Sequence, residues 1–158
     1  MDYYHGVYRI TVNTGDYDLW AVAGRNYYDV QLEVDAARFG GPDENRFGLI
    51  CRYRGALDFY FFVVSSDGYY AIGKVSSGVL SLLGQPMMAY NSAIVTGVAP
   101  NHLRFDCAGN TLTGYVNGQL VAITQDISFT SGDVGVMAGS FDTSGVDIVF
   151  DDFTALKP

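Results

Sequence analysis

Positive charge is scarce in this sequence: Lys and Arg together number 9 against 17 Asp and Glu, the formal net charge is −8, and Lys74 and Lys157 are the only lysines. No basic run or stripe interrupts that balance. Phosphate contacts need clustered cations, so nucleic acid is not an expected partner. Long apolar runs are missing as well. No stretch approaches the roughly 18–20 residues of a membrane span, and the opening MDYYHGVYRI holds no hydrophobic signal segment. The chain is expected not to insert into a membrane, any signal or anchor lying outside it. Cysteine is limited to Cys51 and Cys107, too few for a disulfide scaffold and without zinc spacing. Helical periodicity is absent too: no window of about 11 residues or more keeps an apolar helical stripe.

What remains is hydrophobic, glycine-rich and aromatic. Hydrophobic residues make up 49% of 158, charged residues 16%, and there are 19 glycines and 12 tyrosines. This is the composition of a turn-rich globular domain, not of a disordered or coiled-coil chain. The length suits a single domain over 1–158 with a core of its own.

Apolar residues recur with period two almost throughout. In YYDVQLEVDAARF, Tyr28, Val30, Leu32, Val34 and Ala36 share one face, and Asp29, Gln31, Glu33 and Asp35 the other. Further strands are predicted over 6–13, 19–23, 46–54, 59–65, 69–75, 103–107, 111–116, 119–125, 133–140 and 146–156. Asn13-Thr14-Gly15-Asp16, Asp67-Gly68, Ala108-Gly109-Asn110 and Asn117-Gly118 supply turns between them. The segment 76–100 is expected to hold one or two short strands and a loop. The fold class is all-β, a two-sheet antiparallel sandwich or jelly roll.

The stretch FYFFVVSSDGYYAIGKV raises the question of a binding face. A two-residue Asp67-Gly68 turn would put Tyr60, Phe62, Val64 and Ala71 in the core and leave Phe61, Tyr70 and Ile72 accessible, with Lys74 beside them. In RFGLICRYR, Arg52 and Arg54 alternate with Cys51 and Tyr53 and would point outward. The ligand-binding candidates are therefore Arg52, Arg54, Phe61, Tyr70, Ile72 and Lys74, a mixture suited to stacking on a sugar ring and bonding its hydroxyls. The alternative is that both faces are buried and the arginines pair with surface carboxylates. Cys51 and Cys107 both point inward by this alternation. They form either a disulfide, which needs Cα atoms within about 7 Å, or two buried thiols.

GLICRY, FYFFVVSSDGYYAIGK, NHLRFDCAGNTLTGYVNGQL, SGDVGVMAGSFD and VDIVFDDF resemble, in that order, bacterial concanavalin A-like, laminin-G-like jelly-roll domains. Among these, the chain looks most like the family named after 3-keto-disaccharide hydrolases and its extracellular relatives. The resemblance covers about residues 6–156. It implies the fold, but the fold hosts lectins, adhesion domains and glycosidases alike. Such domains commonly begin with a strand beside the C-terminal one. Here that strand is expected either to be missing or to start late, at Asp2 to His5, leaving an open edge next to FDDF.

Three groups of residues bear on chemistry. Glu33 and Asp35 are similar to the start of the Glu-x-Asp-x-Glu strand of laminarinase-type glucanases. The last acid is absent, with Ala37 or Arg38 where it would stand, so they read as a solvated strand face. His5 and His102 stand at no recognisable spacing from a nucleophile. Asp43, Glu44 and Asn45 in GGPDENRFG, with Asp151 and Asp152, are candidates for a Ca²⁺ site of hard oxygen donors, against the plainer reading of a solvated acidic turn. The leading expectation is a non-catalytic carbohydrate-binding module of an exported bacterial protein, extracellular or at the cell surface. The alternative is a structural or adhesive domain whose partner is another protein, and a glycoside-acting enzyme comes third.

Overall fold

The alternation of Val30, Leu32, Val34 and Ala36 with Gln31, Glu33 and Asp35 gives the observed strand, in which every second residue is buried. The computed structural model describes residues 2–4 and 7–158, with side chains from residue 8 onward. Among the described residues all regular structure is strand: β1 (Asp2–Tyr4), β2 (Val7–Val12), β3 (Asp18–Val22), β4 (Val30–Gly40), β5 (Asn45–Gly55), β6 (Asp58–Val64) and β7 (Tyr69–Ser76). The chain continues with β8 (Val79–Leu82), β9 (Ala89–Tyr90), β10 (Asn101–Ala108), β11 (Thr111–Val116), β12 (Gln119–Gln125), β13 (Asp133–Ser140) and β14 (Val146–Leu156). Sheet one has the order β1-β2-β14-β4-β10-β11-β12. Sheet two has the order β3-β13-β5-β6-β7-β8, with β9 pairing β7. All pairings are antiparallel, and the fold is a two-sheet jelly-roll sandwich.

Between the sheets lies the main core, with Ile10, Leu32 and Phe105 from sheet one facing Leu49, Tyr60 and Phe62 from sheet two. Cys51 on β5 and Cys107 on β10 join the sheets through a disulfide, their Cα atoms 6.7 Å apart. β2 pairs with β14 from Val146 to Phe150, so the open edge expected beside FDDF is filled there. Of the segment expected to start late, Asp2–Tyr4 is a strand and His5 lies outside the described residues.

Two local irregularities change which side chains reach the surface. The β6–β7 connection is a three-residue loop, Ser66-Asp67-Gly68, and not a two-residue turn. The Ser65 N–H donates to the Tyr69 carbonyl, and Gly68 takes φ +100°. Buried Asn45 holds Ser66 out of the ladder, donating to its hydroxyl at 2.8 Å and accepting from its N–H at 2.9 Å. Ile72 therefore opposes Phe62, and Tyr70 opposes Val64. A slip of one residue exchanges the faces of a whole strand. Ile72 and Tyr70 turn toward the main core, while Ala71 turns away from it.

The second irregularity is a bulge in β5, where Cys51 and Arg52 stand opposite the single residue Val134 of β13. Arg52 takes φ +50°, points inward beside Cys51, and sends Tyr53 to the outer face. The bulge requires glycine at 132, since a Cβ there would stand 2.4 Å from the Arg52 carbonyl carbon.

Candidate functional site

The outer face of sheet two carries a second apolar cluster: Ile50, Phe59, Phe61, Val63, Ala71 and Met137, packed by Trp20, Tyr53, Val75, Leu82 and Met88. Antiparallel sandwich sheets ordinarily turn polar residues to solvent on that side. Strand register arranges this face in rows. Asp18, Gly139 and Arg46 form one; Trp20, Met137, Gly48, Val63 and Ala71 the next; Val22, Gly135, Ile50, Phe61, Gly73 and Leu82 a third. Each row contains glycine, and at Gly73 and Gly139 larger side chains fold down over it. The Phe61 ring lies where a Cβ on Gly73 would be, 2.3 Å from its Cζ.

Rings line the result. Trp20 sits 5.4 Å from Phe59 and 6.3 Å from Tyr53 between centroids, and its indole N–H donates to the Tyr53 hydroxyl at 3.1 Å. Phe59 and Phe61 are buried beneath, whereas Trp20 and Tyr53 stay part-exposed. At one end, Met88 connects this cluster to a cleft of about 380 Å³ lined by Glu44, Ser65, Asp67, Tyr69, Met87, Met88 and Phe141. Tyr69 is 40% exposed and meets Tyr90 edge-on. Arg46 donates to both Asp18 oxygens, at 2.7 and 3.2 Å, and lies 4.5 Å over the Phe141 ring. Ser65 donates its hydroxyl proton to Asp67 and accepts from the Tyr69 N–H. The arrangement offers aromatic surface beside fixed hydrogen-bonding groups, the pairing that sugar rings need.

Few of the residues expected at a binding site are on this face. Arg52 is 1% exposed and donates to the carbonyls of Tyr28, Gly109 and Phe129 and to Asp29, with burial pulling its pKa down. It is a buried tie between loops, brought inward by the bulge. Ile72 is a core residue and Tyr70 packs against the core, both because of the slipped register. Lys74 projects to the same side as these and bonds Asp126 at 3.0 Å and Ser128 at 2.7 Å. Burial pushes the Asp126 carboxyl up, but hydrogen bonds from Tyr60, Ser128 and Lys74 together bring it down to about 2. Phe61 faces outward yet is only 3% exposed, and Arg54 is exposed at the end of β5. Trp20, Tyr53, Asp18, Tyr69 and Phe141 were not singled out in the sequence. The one signal for them is the pair of glycines in DVGVMAGS, Gly135 and Gly139, which share a strand face and leave room on it to either side of Met137.

The acidic residues expected to bind calcium do not converge. Asn45 uses its whole amide on Ser66 and Pro42, and Asp43 pairs with Arg38 at 2.6 Å. Asp151 sits opposite Asp35, while the 40–45 turn follows the Gly40–Asp147 pair. Four strand residues, about 13 Å, separate the two places. Among the described residues no group of three His, Cys, Asp or Glu side chains could hold a metal.

Outside sheet one lies a face of paired charges. His102 bridges Glu33 and Asp35, each contact 2.7 Å, and Arg104 holds Asp106 at 2.9 and 2.7 Å beneath the Tyr115 ring. The hydrogen bond to Glu33 raises the His102 pKa, with Asp35 adding to it, and the same bond lowers that of Glu33. A cleft of about 530 Å³ borders this face at Asp35, His102, Asn117, Val149 and Asp151. Sequence spacing could not reveal the histidine, because Glu33 and His102 meet only through the β4–β10 pairing.

No model of a known protein family matches the chain, and no curated protein does. Solved structures do. A carbohydrate-binding module, CBM66, from Bacillus subtilis superposes with a TM-score of 0.76 at 20% identity, over 91% of this chain and 84% of that one. A putative glycosyl hydrolase from Parabacteroides distasonis gives 0.63 at 16%, over 98% and 88%. Sheep galectin-11, in complex with glycerol, gives 0.58 at 16%, over 90% and 98%. At such identities the likeness is one of fold.

Proposed function

We propose that this domain binds carbohydrate on the outer face of sheet two, with Trp20, Tyr53 and Tyr69 as stacking rings and the Glu44–Asp67 cleft as the polar end of the site. The observation that carries the reading is the apolar, ring-lined outer face itself, opening into an acid-edged cleft. A carbohydrate-binding module and a galectin among structures of the same fold add support. Within that fold, the reading keeps the chain beside the 3-keto-disaccharide hydrolase-like family and its extracellular relatives. The disulfide supports export within that reading, because such bonds persist in oxidising compartments. The role is non-catalytic: Glu33 and Asp35 are occupied by His102, and the strand bears no third acid.

The test is an array of polysaccharides and glycans, probed with the native domain and with Tyr69→Ala. Native binding that falls about tenfold in the variant is the expected result, an aromatic contact contributing about 1.4 kcal/mol. The same array with calcium and with a chelator tests the calcium expectation, since Glu44 lines the cleft.

A second reading is favoured by the edge strands. Val79 and Leu80 on β8, and Leu120 and Ile123 on β12, are all at least half exposed. Edges of this kind suit an adhesive domain that contacts another protein. Silence of the array with retention of a partner through β8 or β12 is its signature.

A further inference from the structure

The cleft beside Tyr69 has a chemical bias that bears on which sugars it takes, an inference that rests on the carbohydrate reading of this face. Its polar lining is the carboxylates of Glu44 and Asp67, the Ser65 hydroxyl and Tyr69. Ser65 already donates to Asp67, so the donor left among the side chains lining the cleft is the Tyr69 phenol, set against two carboxylates. Arg46, which borders the cleft through Phe141, is held by both oxygens of Asp18. Arg38, near the turn that carries Glu44, is held by Asp43.

We propose that this cleft selects neutral, hydroxyl-rich glycans and rejects polymers bearing carboxylate, sulfate or phosphate groups. A sugar hydroxyl donates to Glu44 or Asp67 in a charge-assisted hydrogen bond. A uronate brings an acceptor where acceptors already prevail, and it meets two like charges in a recess where water screens them less than in bulk. The net charge of −8 adds a longer-range repulsion that salt weakens.

The experiment compares amylose, β-mannan and β-1,4-galactan with the same polymers oxidised to carboxylates at their primary hydroxyls, at low and at high salt. The neutral form that the domain binds is expected to lose affinity about tenfold or more on oxidation at low salt. Glu44→Gln with Asp67→Asn narrows that gap to within about threefold by removing the like charges, as does Glu44→Gln alone in part. Both positions are exposed, so the variants keep the fold. Equal binding of neutral and oxidised forms, or preference for the oxidised one, overturns the charge selection and leaves carbohydrate binding standing. Absence of binding to every polymer, neutral or charged, on this set and on the wider array overturns both.

Discussion

Arg52 and the two neighbouring tyrosines show how much depends on single side chains. Arg52→Met leaves the carbonyls of Tyr28, Gly109 and Phe129 without their donor in a buried place. It should cost about 3 kcal/mol or more in urea unfolding, with glycan binding retained by the fraction that folds. Tyr69 and Tyr70 are adjacent but divide between the sheet faces. Tyr70→Ala is expected to lower stability by about 1–3 kcal/mol and leave affinity unchanged. Tyr69→Ala is expected to do the reverse, with less than about 1 kcal/mol lost in stability and about tenfold in affinity. Binding isotherms and melts on the same two variants check both. At this scale little of the site could be read beforehand. Residue type suggested arginine and tyrosine, but a positive φ at Arg52 and a hydrogen bond from Asn45 to Ser66 decide which of them reach solvent.

Among the elements, strand existence was written in the period-two pattern: 111–116, 119–125, 133–140 and 146–156 coincide with β11, β12, β13 and β14. Register was not, because it depends on loop length and on a bulge in β5 opposite Val134, packed against Gly132 in the segment that leads into β13. Gly132→Ala should therefore unseat the bulge. A loss of about 2 kcal/mol or more, together with weaker Trp20–Tyr53 packing in near-ultraviolet circular dichroism, is the expected outcome. Pairing between β4 and β10 also builds a pH-sensitive contact. His102 has a raised pKa against its ordinary 6.5, so its contribution is complete below 6.5 and lost as pH rises through the folded value. Glu33 is lowered from 4.5, so its contribution is complete above 4.5 and lost as pH falls. The melting difference between native protein and His102→Gln should be greatest between these values and shrink on either side. A difference that is flat with pH would remove the ion pair from the account.

For the molecule as a whole, the sandwich is held by its core, by the disulfide and by the Lys74–Asp126–Tyr60 network at one side. The disulfide closes a sequence separation of 56 residues, and reducing it should cost about 2–5 kcal/mol. Fold class was legible because alternation is a property of whole strands. The functional face was not, because an outward apolar row and a buried one look alike until the sheets are stacked. The central claim is that carbohydrate binds outside sheet two, and Trp20, the chain's one tryptophan, lies on that face. Its fluorescence, titrated with the glycan that the array identifies, is the most direct measurement. The account predicts a saturable change in Trp20 emission that weakens in step with affinity in Tyr69→Ala. Binding that leaves Trp20 emission and the Tyr69→Ala affinity unmoved would put the site elsewhere on the molecule and contradict it.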